Sequence, residues 1–389
     1  MRPGSTRFEV DGVEVETPVG VVDLSIAEAN ANRVVAYCRE HGLDWRPHIK
    51  THKSVGMARL QLAAGATGLT VATPREAEVM SRVCSDILVA YPPVGGGRLS
   101  RLMALPYETD LKIALDSRET LEILSTASTE AERVTGVLIE ADVGARRVGL
   151  GTDADLVALA EAATEAPGLA FRGLLFYPGH IRGPIADQGI ALEALRDRLA
   201  AMIGALEAAG LPPEIVSGGS TPTLWRTHEV PGLTEVRFGT AIYNDREQLA
   251  LGTARHADLA YSILATVVST SVPDQAVVDA GSKAMGSEER GGKGYGFMID
   301  RPEVILRSLS EEHGILDLSA TGWRPRVGDR VRIVPSHVCV SVNLQDRILV
   351  LGDRDSVEWW PLEGRGRTPW VGDGTILAHT AGRSREIGG

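Results

Sequence analysis

The chain of 389 residues has few cysteines, no excess of positive charge and no long apolar segment. Its three cysteines, Cys38, Cys84 and Cys339, are too few for a disulfide framework. The net charge of −11 disfavours nucleic acid and anionic membranes as partners, because both require a basic patch. No apolar run approaches the roughly 18 residues that cross a bilayer, and the first residues lack a signal-peptide core. We therefore expect a cytoplasmic protein that acts on a small molecule.

Lysine is also scarce. Only five of the 40 basic residues are lysines. They are Lys50, Lys53, Lys112, Lys283 and Lys293. A reaction that needs the amine of a lysine therefore has a short set of candidates, and the surroundings of each lysine in the sequence become informative.

Strands and helices are predicted to alternate from about residue 19 to residue 250. Short β-branched runs, beginning with VGVVDLS and continuing with GLTVAT, DILVAY and LKIALD, are separated by segments such as ADLVALAEAATEA. The apolar residues of those segments recur with the period of an amphipathic helix. About eight such units are typical of an α/β fold of the (β/α)8 TIM-barrel type, and a doubly wound open sheet is the alternative. Residues 19–252 are predicted to form the barrel.

A second domain, rich in strands, is predicted for the rest of the chain. A length of 389 residues exceeds the roughly 250–300 residues at which one hydrophobic core stops growing. After about residue 255 the sequence contains strand-like runs such as YSILATVVSTSV, RVRIVPSHVCVSVNL and RILVLG without long helices. FEVDGVEVETP near the beginning predicts another strand. Residues 1–18 and 253–389 are therefore predicted to form a β domain.

Two groups of motifs at the ends of predicted barrel strands suggest chemistry. RPHIKTHKS, residues 46–54, places Lys50 at the mouth of the barrel, where active sites lie, although such a string is often a solvated basic loop. VSGGSTPT and VRFGTAIYND, at 216–223 and 236–245, combine glycines with hydroxyl side chains, as in phosphate-binding loops. A lysine amine and a phosphate cradle at one mouth suit a phosphorylated aldehyde cofactor.

Two histidines add candidate functions. His337 and Cys339 are two residues apart on a predicted strand, so their side chains should point to one face. An imidazole and a thiolate at this spacing can share a divalent metal such as zinc, although two protein ligands rarely suffice. His180 ends a predicted barrel strand and is a candidate proton acceptor, with a structural role as the alternative.

Eight motifs, in order, resemble those of the fold-type III pyridoxal-phosphate (PLP) enzymes. They are RPHIKTHK, EADVGARRVG, LLFYPGH, SGGSTPT, VRFGT, VVDAGSKA, SEEHG and PSHVCVSVNL. The resemblance covers residues from roughly 15 to 365 and is to the branch of D-threonine aldolase and D-serine dehydratase, and more distantly to alanine racemase. It implies an alanine-racemase-like fold, in which a PLP-binding TIM barrel precedes a C-terminal β domain, and it implies a homodimer.

The resemblance also assigns roles to particular residues. Lys50 matches the lysine that carries the cofactor as a Schiff base, Arg147 an arginine near the ring hydroxyl and Tyr177 a tyrosine beside the ring. Arg237 matches the arginine that racemases place against the pyridine nitrogen. The residues expected to hold the phosphate are Ser217, Gly218, Gly219, Ser220, Thr221, Gly239 and Thr240.

The family implies a lyase that acts on D-β-hydroxy amino acids. His337 and Cys339 would hold a divalent ion (manganese, zinc or magnesium) that binds the substrate's β-hydroxyl. LLFYPGHI and DAGSKA favour a D-threonine aldolase, which forms glycine and an aldehyde, with His180 as proton acceptor. Cys339 and KTHK favour the alternative, a D-serine or D-threo-3-hydroxyaspartate dehydratase, because the aldolases tend to carry aspartate in place of Cys339. An amino-acid racemase and a non-catalytic PLP carrier are further alternatives.

Overall fold

The computed structural model describes residues 8–353 and 356–369. The described chain begins with a hairpin of strands β1 (Glu9–Val10) and β2 (Val13–Glu14), followed by strand β3 (Val19–Asp23) and helix α1 (Leu24–Glu40). Among the described residues, 8–353 and 356–369, no helix is long and apolar enough to cross a membrane. Residues 1–7 and 370–389, assigned to the β domain from sequence, lie outside the described residues.

Eight parallel strands form the wall of an α/β barrel. The strands are β4 (Asp44–Trp45), β5 (Leu69–Val71), β6 (Asp86–Val89), β7 (Asp110–Leu115), β8 (Thr135–Ala141), β9 (Leu169–Phe176), β10 (Ile215–Gly218) and β11 (Glu235–Val236). Their ladder follows the order β4-β11-β10-β9-β8-β7-β6-β5. A parallel bridge between His48 and Thr70 joins the two end strands, and the N–H of Thr70 donates to the carbonyl of Pro47 at 2.9 Å. The predicted barrel is thereby confirmed.

Helices follow most of the barrel strands and cover the outside of the wall. They are α2 (Val55–Ala64), α3 (Pro74–Met80), α4 (Gly96–Met103), α5 (Arg118–Glu130), α6 (Asp153–Glu165), α7 (Gly189–Ala208) and α8 (Arg246–Ala250). Several of them start at a hydroxyl cap, such as Thr73, Ser117 and Thr152. In each of these caps the side-chain oxygen accepts a free N–H of the first turn. The carboxyl ends of the strands, and the loops that follow them, therefore share one end of the barrel.

A second, nine-stranded sheet packs at this end. Its remaining elements are β12 (Tyr261–Ser269), β13 (Gln275–Val278), α9 (Ser282–Met285), β14 (Gly296–Met298), β15 (Arg301–Leu309), β16 (Gly314–Asp317), β17 (Arg330–Pro335), α10 (Val338–Asn343), β18 (Arg347–Leu351) and β19 (Val357–Pro361). The order is β13-β16-β15-β14-β17-β12-β3-β18-β19, and every pairing is antiparallel except that of β3 with β18. This sheet agrees with the predicted C-terminal β domain.

The strand predicted to be the first of the barrel belongs to the nine-stranded sheet instead. Strand β3, which carries VGVVD, pairs with β12 and β18 in the nine-stranded sheet. Its residues Val19–Val22 are all buried. A short run of buried apolar residues reads the same in a barrel wall and in the centre of another sheet, so periodicity could not decide between them. The barrel strands begin at Asp44 instead of residue 19.

One apolar cluster spans the barrel and the nine-stranded sheet. It includes Trp45, Phe238 and Tyr243 from the barrel and Tyr261 and Ile333 from the sheet, all fully or almost fully buried. Burial of large apolar side chains is the main favourable term in packing such layers. The cluster holds the β domain against the barrel mouth, so residues after β17 can reach the ends of the barrel strands.

The closed end of the barrel contains a buried charge network around Arg46. The guanidinium donates to Glu235 at 2.8 Å and to both carboxylate oxygens of Asp86 at 2.6 and 2.9 Å. The ammonium of Lys112 also donates to Asp86, at 2.8 Å. The network therefore ties β4 to β6 and β11, which begin at Asp86 and Glu235.

Arg46→Met is expected to lower the free energy of unfolding by about 3–5 kcal/mol, because it leaves the buried carboxylate of Glu235 without its cation. Urea denaturation followed by circular dichroism measures this change. Arg196→Met is the control, since the pair of Arg196 with Glu193 is exposed on α7 and contributes about 0–1 kcal/mol. Equal losses in the two variants would contradict a special contribution from the network.

Candidate active site

A cavity of about 530 Å³ opens at the carboxyl ends of the barrel strands. It lies where the nine-stranded sheet packs on the barrel. Eleven of the residues predicted for the site line it: Lys50, Arg147, Tyr177, Gly219, Ser220, Thr221, Arg237, Gly239, Thr240, His337 and Cys339. These residues come from six separate chain segments between residues 50 and 339. The structure therefore brings most of the predicted site together in one place.

Lys50 lies just after β4, in a 3₁₀ turn over Ile49–Thr51. The Nδ1 atom of His48 accepts the backbone N–H of Lys50 at 3.4 Å and helps to fix this turn. The lysine side chain projects into the cavity, so it keeps solvent-accessible surface although protein surrounds it. Burial lowers the pKa of Lys50, the Cys339 thiolate opposes this shift, and the charge of Arg147 adds to it. A lysine with a lowered pKa is a better nucleophile and base at neutral pH.

Two loops of the cavity form a cradle for an anion. Gly219 has φ +80°, a conformation that other residues rarely adopt, and a Cβ on Gly239 would lie 2.6 Å from the carbonyl oxygen of His48. Within the described residues, no protein group accepts the backbone N–H groups of Gly219, Thr221 and Thr240. Backbone N–H groups without a protein acceptor in a glycine-containing loop are available to bind phosphate. The two loops therefore fit the phosphate of a cofactor whose aldehyde reaches Lys50.

Ser217 and Gly218 lie behind the cradle instead of in it. The hydroxyl of Ser217 accepts from Nη1 of Arg237 at 2.6 Å, and a Cβ on Gly218 would lie 2.3 Å from the ring of Phe176. Both residues belong to strand β10, so they pack inside the barrel wall below the loop. The prediction that they contact the phosphate is not supported by this position. Their contacts support Arg237 and the strand instead.

Arg237 supplies a buried positive charge at the floor of the cavity. Its Nη2 atom donates to the carbonyl of Phe176 at 2.7 Å, in addition to the bond with Ser217. Burial lowers the pKa of Arg237 to about 10, although Glu235 and Glu140 oppose the shift. Glu140 also lines the cavity, and burial raises its pKa. The prediction missed Glu140, whose only signal was a carboxylate within the buried strand TGVLIEA.

Arg147 and Tyr177 form one side of the cavity. They follow strands β8 and β9, which are neighbours in the barrel. The guanidinium of Arg147 lies over the ring of Tyr177, 4.7 Å from its centroid. A cation over an aromatic face fixes both side chains. Arg146, the alternative to Arg147 in the same motif, does not line the cavity.

His337 and Cys339 reach the cavity by a different local structure from the one predicted. Strand β17 ends at Pro335, His337 caps helix α10 and Cys339 lies in its first turn. The strand prediction for PSHVC is wrong because helix packing outweighs the β propensity of alternating valines. The hydroxyl of Ser341 on α10 donates to the carbonyl of Ala284 at 2.8 Å.

The thiol of Cys339 is in contact with the barrel. Its Sγ atom lies 3.3 Å from the hydroxyl oxygen of Thr51 and 3.8 Å from that of Thr240. Burial by itself raises the pKa of Cys339, but the charge of His337 and the hydrogen bonds from His337 and Thr51 lower it to about 7. The positive charge of His337 therefore favours the thiolate of Cys339, which is the form that binds metals. The residues present fit a divalent ion next to Lys50.

Asp245 orients His337. Its buried carboxylate accepts from Nδ1 of His337 at 3.1 Å and from the N–H of Val338 at 3.0 Å. Burial lowers the pKa of His337, but the Cys339 thiolate and Asp245 together raise it to about 10. The bond at Nδ1 leaves Nε2 as the nitrogen that would bind a metal, and the metal would displace the proton that Nε2 carries in the imidazolium. Among the described residues, no cluster of three histidine, cysteine or acidic side chains completes a metal site.

Asp245→Asn is expected to weaken binding of a divalent metal by about 10- to 100-fold, because the ring of His337 loses its orienting carboxylate. Competition with a fluorescent zinc chelator measures the affinity. The control is Asp279→Asn, which alters a carboxylate that accepts from the N–H of Thr266 at 2.8 Å, away from the cavity. Unchanged metal affinity in Asp245→Asn would contradict the role of this residue.

The structure does not bring His180 into the cavity. The side chain is exposed, and its ring packs against the loop at Gly144. The cavity includes other residues that the prediction missed, among them Arg98, Arg182, Glu247 and Arg290. These residues lie in ordinary charged segments, so no motif distinguishes them in the sequence.

Comparisons with known proteins give the family. The chain matches the family "Alanine racemase, N-terminal domain" over residues 22–247, more than half of its length. It belongs to this family of fold-type III PLP enzymes. Residues 260–351 match "Putative serine dehydratase domain". The barrel and the second sheet thus each correspond to one matched domain.

Individual relatives cover nearly the whole chain. A D-threo-3-hydroxyaspartate dehydratase of Delftia sp. (strain HT23) is 34% identical over 89% of this chain and 97% of its own length. The crystal structure of a D-threonine aldolase from Filomicrobium marinum has 30% identity and a TM-score of 0.82, over 90% and 96% of the two chains. A cysteine-to-alanine variant of a D-threo-3-hydroxyaspartate dehydratase, solved in a metal-free form, also has 30% identity and a TM-score of 0.82, over 91% and 98%. In a second variant of that dehydratase, the residue replaced is a histidine two positions before that cysteine.

Proposed function

We propose that this chain is a PLP- and divalent-metal-dependent lyase that acts on D-β-hydroxy amino acids. The observation that carries the proposal is that Lys50, the phosphate cradle and the pair His337 and Cys339 line one cavity. The relatives are lyases of both the aldolase and the dehydratase kind. We retain the division into a barrel and a β domain, with β3 assigned to the second. The homodimer stays a prediction.

The cofactor would be held by groups from both sides of the cavity. Lys50 would bond to its aldehyde, the loops at Gly219–Thr221 and Gly239–Thr240 would bind its phosphate, and Arg147 and Tyr177 would flank its ring. PLP supplies an electron sink for the charge left on Cα when a bond to Cα breaks. Arg237, a buried cation that lines the cavity, would bind an electron-rich atom of the ring.

The metal would be held by His337 and Cys339, with Asp245 orienting the imidazole. Nitrogen and sulfur ligands are those that zinc prefers, and two protein ligands leave positions open for the substrate. A divalent ion there supplies Lewis acidity to a hydroxyl oxygen. The histidine and cysteine that are replaced in the dehydratase variants are also two positions apart, which supports this assignment.

Elimination is the reaction that the site supports better. The amine of Lys50 has a lowered pKa, which suits a base at Cα. Cys339, at the position where the aldolases tend to carry aspartate, lines the same cavity. Lys50 would accept the proton from Cα while the hydroxyl leaves from Cβ, and hydrolysis then gives a 2-oxo acid and ammonia. The retro-aldol reaction needs a group that takes the proton of the β-hydroxyl, and His180, predicted for this step, is exposed outside the cavity.

Retro-aldol cleavage is the second candidate reaction. It is favoured by the similarity to the D-threonine aldolase structure over 90% of this chain. Its products would be glycine and an aldehyde, as expected from the sequence. The two reactions differ in the bonds that break. Elimination breaks the Cα–H and Cβ–O bonds, whereas retro-aldol cleavage breaks the Cα–Cβ bond and removes the proton of the β-hydroxyl, whose oxygen stays in the aldehyde.

Analysis of the products separates the two reactions. The protein, loaded with PLP and either manganese or zinc, is incubated with D-threonine, D-serine and D-threo-3-hydroxyaspartate. We expect 2-oxo acid and ammonia in equal amounts, and no product after treatment with a chelator. Glycine with an equimolar aldehyde would identify the aldolase. The absence of both product pairs from all three substrates would contradict the lyase.

A further inference from the structure

The arginines of the cavity differ in their partners. Arg182 and Arg290 both form ion pairs with Glu247. Arg237 bonds to the hydroxyl of Ser217 and a backbone carbonyl, and it lies near the charge of Glu140. Arg147 stacks on Tyr177, and we have assigned this pair to the cofactor. Arg98 remains.

Arg98 is a cation without a carboxylate partner in the described part of the chain. It lies on helix α4, and its guanidinium is 5.2 Å from the centroid of the Tyr91 ring. Both side chains are exposed and line the cavity. The aromatic face holds the guanidinium in place while leaving its N–H groups free, and these can bind a carboxylate through two parallel hydrogen bonds.

Arg98 lies on the side of the cavity next to Lys50 and Cys339. A second cavity, of about 660 Å³, adjoins the first. The residues that line both cavities, and therefore mark their junction, are Lys50, Ala72, Tyr91, Arg98 and Cys339. If Cys339 helps to hold the β-hydroxyl, a group on the same carbon atom extends towards this junction.

The junction is also electropositive within an acidic protein. The second cavity is lined by Lys53, Arg98, Arg101 and Arg367, whereas the chain has a net charge of −11. Two of these cations are paired, Lys53 with Glu76 at 2.5 Å and Arg101 with Glu78 at 2.6 Å, so the excess positive charge comes from Arg98 and Arg367. A cluster of one charge in a cleft concentrates substrates of the opposite charge.

We propose that Arg98 determines substrate specificity by binding a carboxylate carried on Cβ. The preferred substrate class is then the β-hydroxy dicarboxylic amino acids, in preference to those with a methyl group or hydrogen on Cβ. This inference rests on the proposed function, because it assumes that a β-hydroxy amino acid occupies the cavity. Arg98 selects the substrate and takes no part in proton transfer.

The test compares substrates in Arg98→Met and in the unaltered holoenzyme. Loss of a charge-assisted pair predicts a fall in kcat/KM for D-threo-3-hydroxyaspartate of about 100-fold. We expect kcat/KM for D-threonine to change less than about 3-fold, since its methyl group makes no such bond. Arg98→Lys keeps the charge without the planar fork and should lie between the two.

Arg347→Met is the matched control. Arg347 lies 4.0 Å from the centroid of the Trp359 ring, so this variant also removes an arginine from an aromatic face, outside the cavity. We expect kcat/KM for D-threo-3-hydroxyaspartate and for D-threonine to be unchanged in this variant. Equal losses for both substrates in Arg98→Met would overturn the proposal by showing that Arg98 binds the α-carboxylate or supports the fold. No loss for either substrate would also overturn it.

Binding of unreactive analogues separates this inference from the proposed reaction. D-Aspartate and D-alanine lack the β-hydroxyl, so titration calorimetry with the holoenzyme measures binding without elimination or retro-aldol cleavage. Tighter binding of D-aspartate, lost in Arg98→Met, supports the role of Arg98 even if no lyase product is found. Equal affinities for the two analogues overturn it even if the enzyme is a lyase.

Discussion

Lys50→Ala is expected to lower kcat by at least about 10³-fold, because we propose that this residue is both the covalent anchor of PLP and the base at Cα. The position of Lys50 supports both roles, since its side chain lines the same cavity as the phosphate cradle. The variant should also lose covalent attachment of the cofactor. Reduction with borohydride followed by mass spectrometry of tryptic peptides measures this attachment, and steady-state assays measure kcat.

Lys53→Arg is the control for this variant. Lys53 is in the same motif, but it pairs with the buried carboxylate of Glu76, and arginine preserves that charge. We expect Lys53→Arg to retain the covalent label at Lys50 and most of its activity. A label on Lys53, or on any lysine other than Lys50, would contradict the assignment.

The second large expected effect is the loss of activity when either His337 or Cys339, the residues proposed to hold the metal, is replaced. His337→Ala and Cys339→Ala are each expected to lower kcat by about 10³-fold, because Lewis-acid activation of a hydroxyl is worth several kcal/mol. Added metal should not restore activity. The absorbance of bound PLP should stay, because the phosphate cradle and Lys50 are unchanged. Metal content by plasma mass spectrometry and steady-state kinetics measure these outcomes.

Cys84→Ala is the matched control for the metal pair. Its thiol lies outside the cavity and contacts the backbone carbonyl of Asp86 at 3.3 Å. We expect this variant to keep both metal and activity. Full activity in His337→Ala or Cys339→Ala, or full activity of the unaltered enzyme after complete removal of metal, would argue for a reaction that does not depend on the metal.

The predicted fold agrees with the structure wherever the sequence pattern is long. Amphipathic segments such as α6 and α7 run for 13 and 20 residues, so their helical period is unambiguous. VGVVD was assigned to the wrong sheet and PSHVC to the wrong secondary structure, because each is a short segment. In such runs the local preference is weak, and contacts with distant segments decide both the conformation and the sheet.

The candidate site was predictable where a residue belongs to a motif. Lys50, the loop glycines and the pair His337 and Cys339 are marked by unusual local composition. Asp245 and Arg98 are not, because their positions depend on which segments meet at the barrel mouth. Ser217 and His180 are in the right motifs, but the direction of each side chain depends on its place in the strand or loop.

The sequence by itself determined the α/β barrel, the β domain, the candidate lysine and the family to which the eight motifs belong. The barrel and the β domain follow from local periodicity, and the family follows from the resemblance of the motifs, all of which the chain carries without reference to its fold. Tertiary structure decided that β3 joins the second sheet, that α10 delivers Cys339 to Thr51, and that Arg98 shares a junction with Lys50. Such contacts join residues far apart in the chain, so they depend on packing between domains.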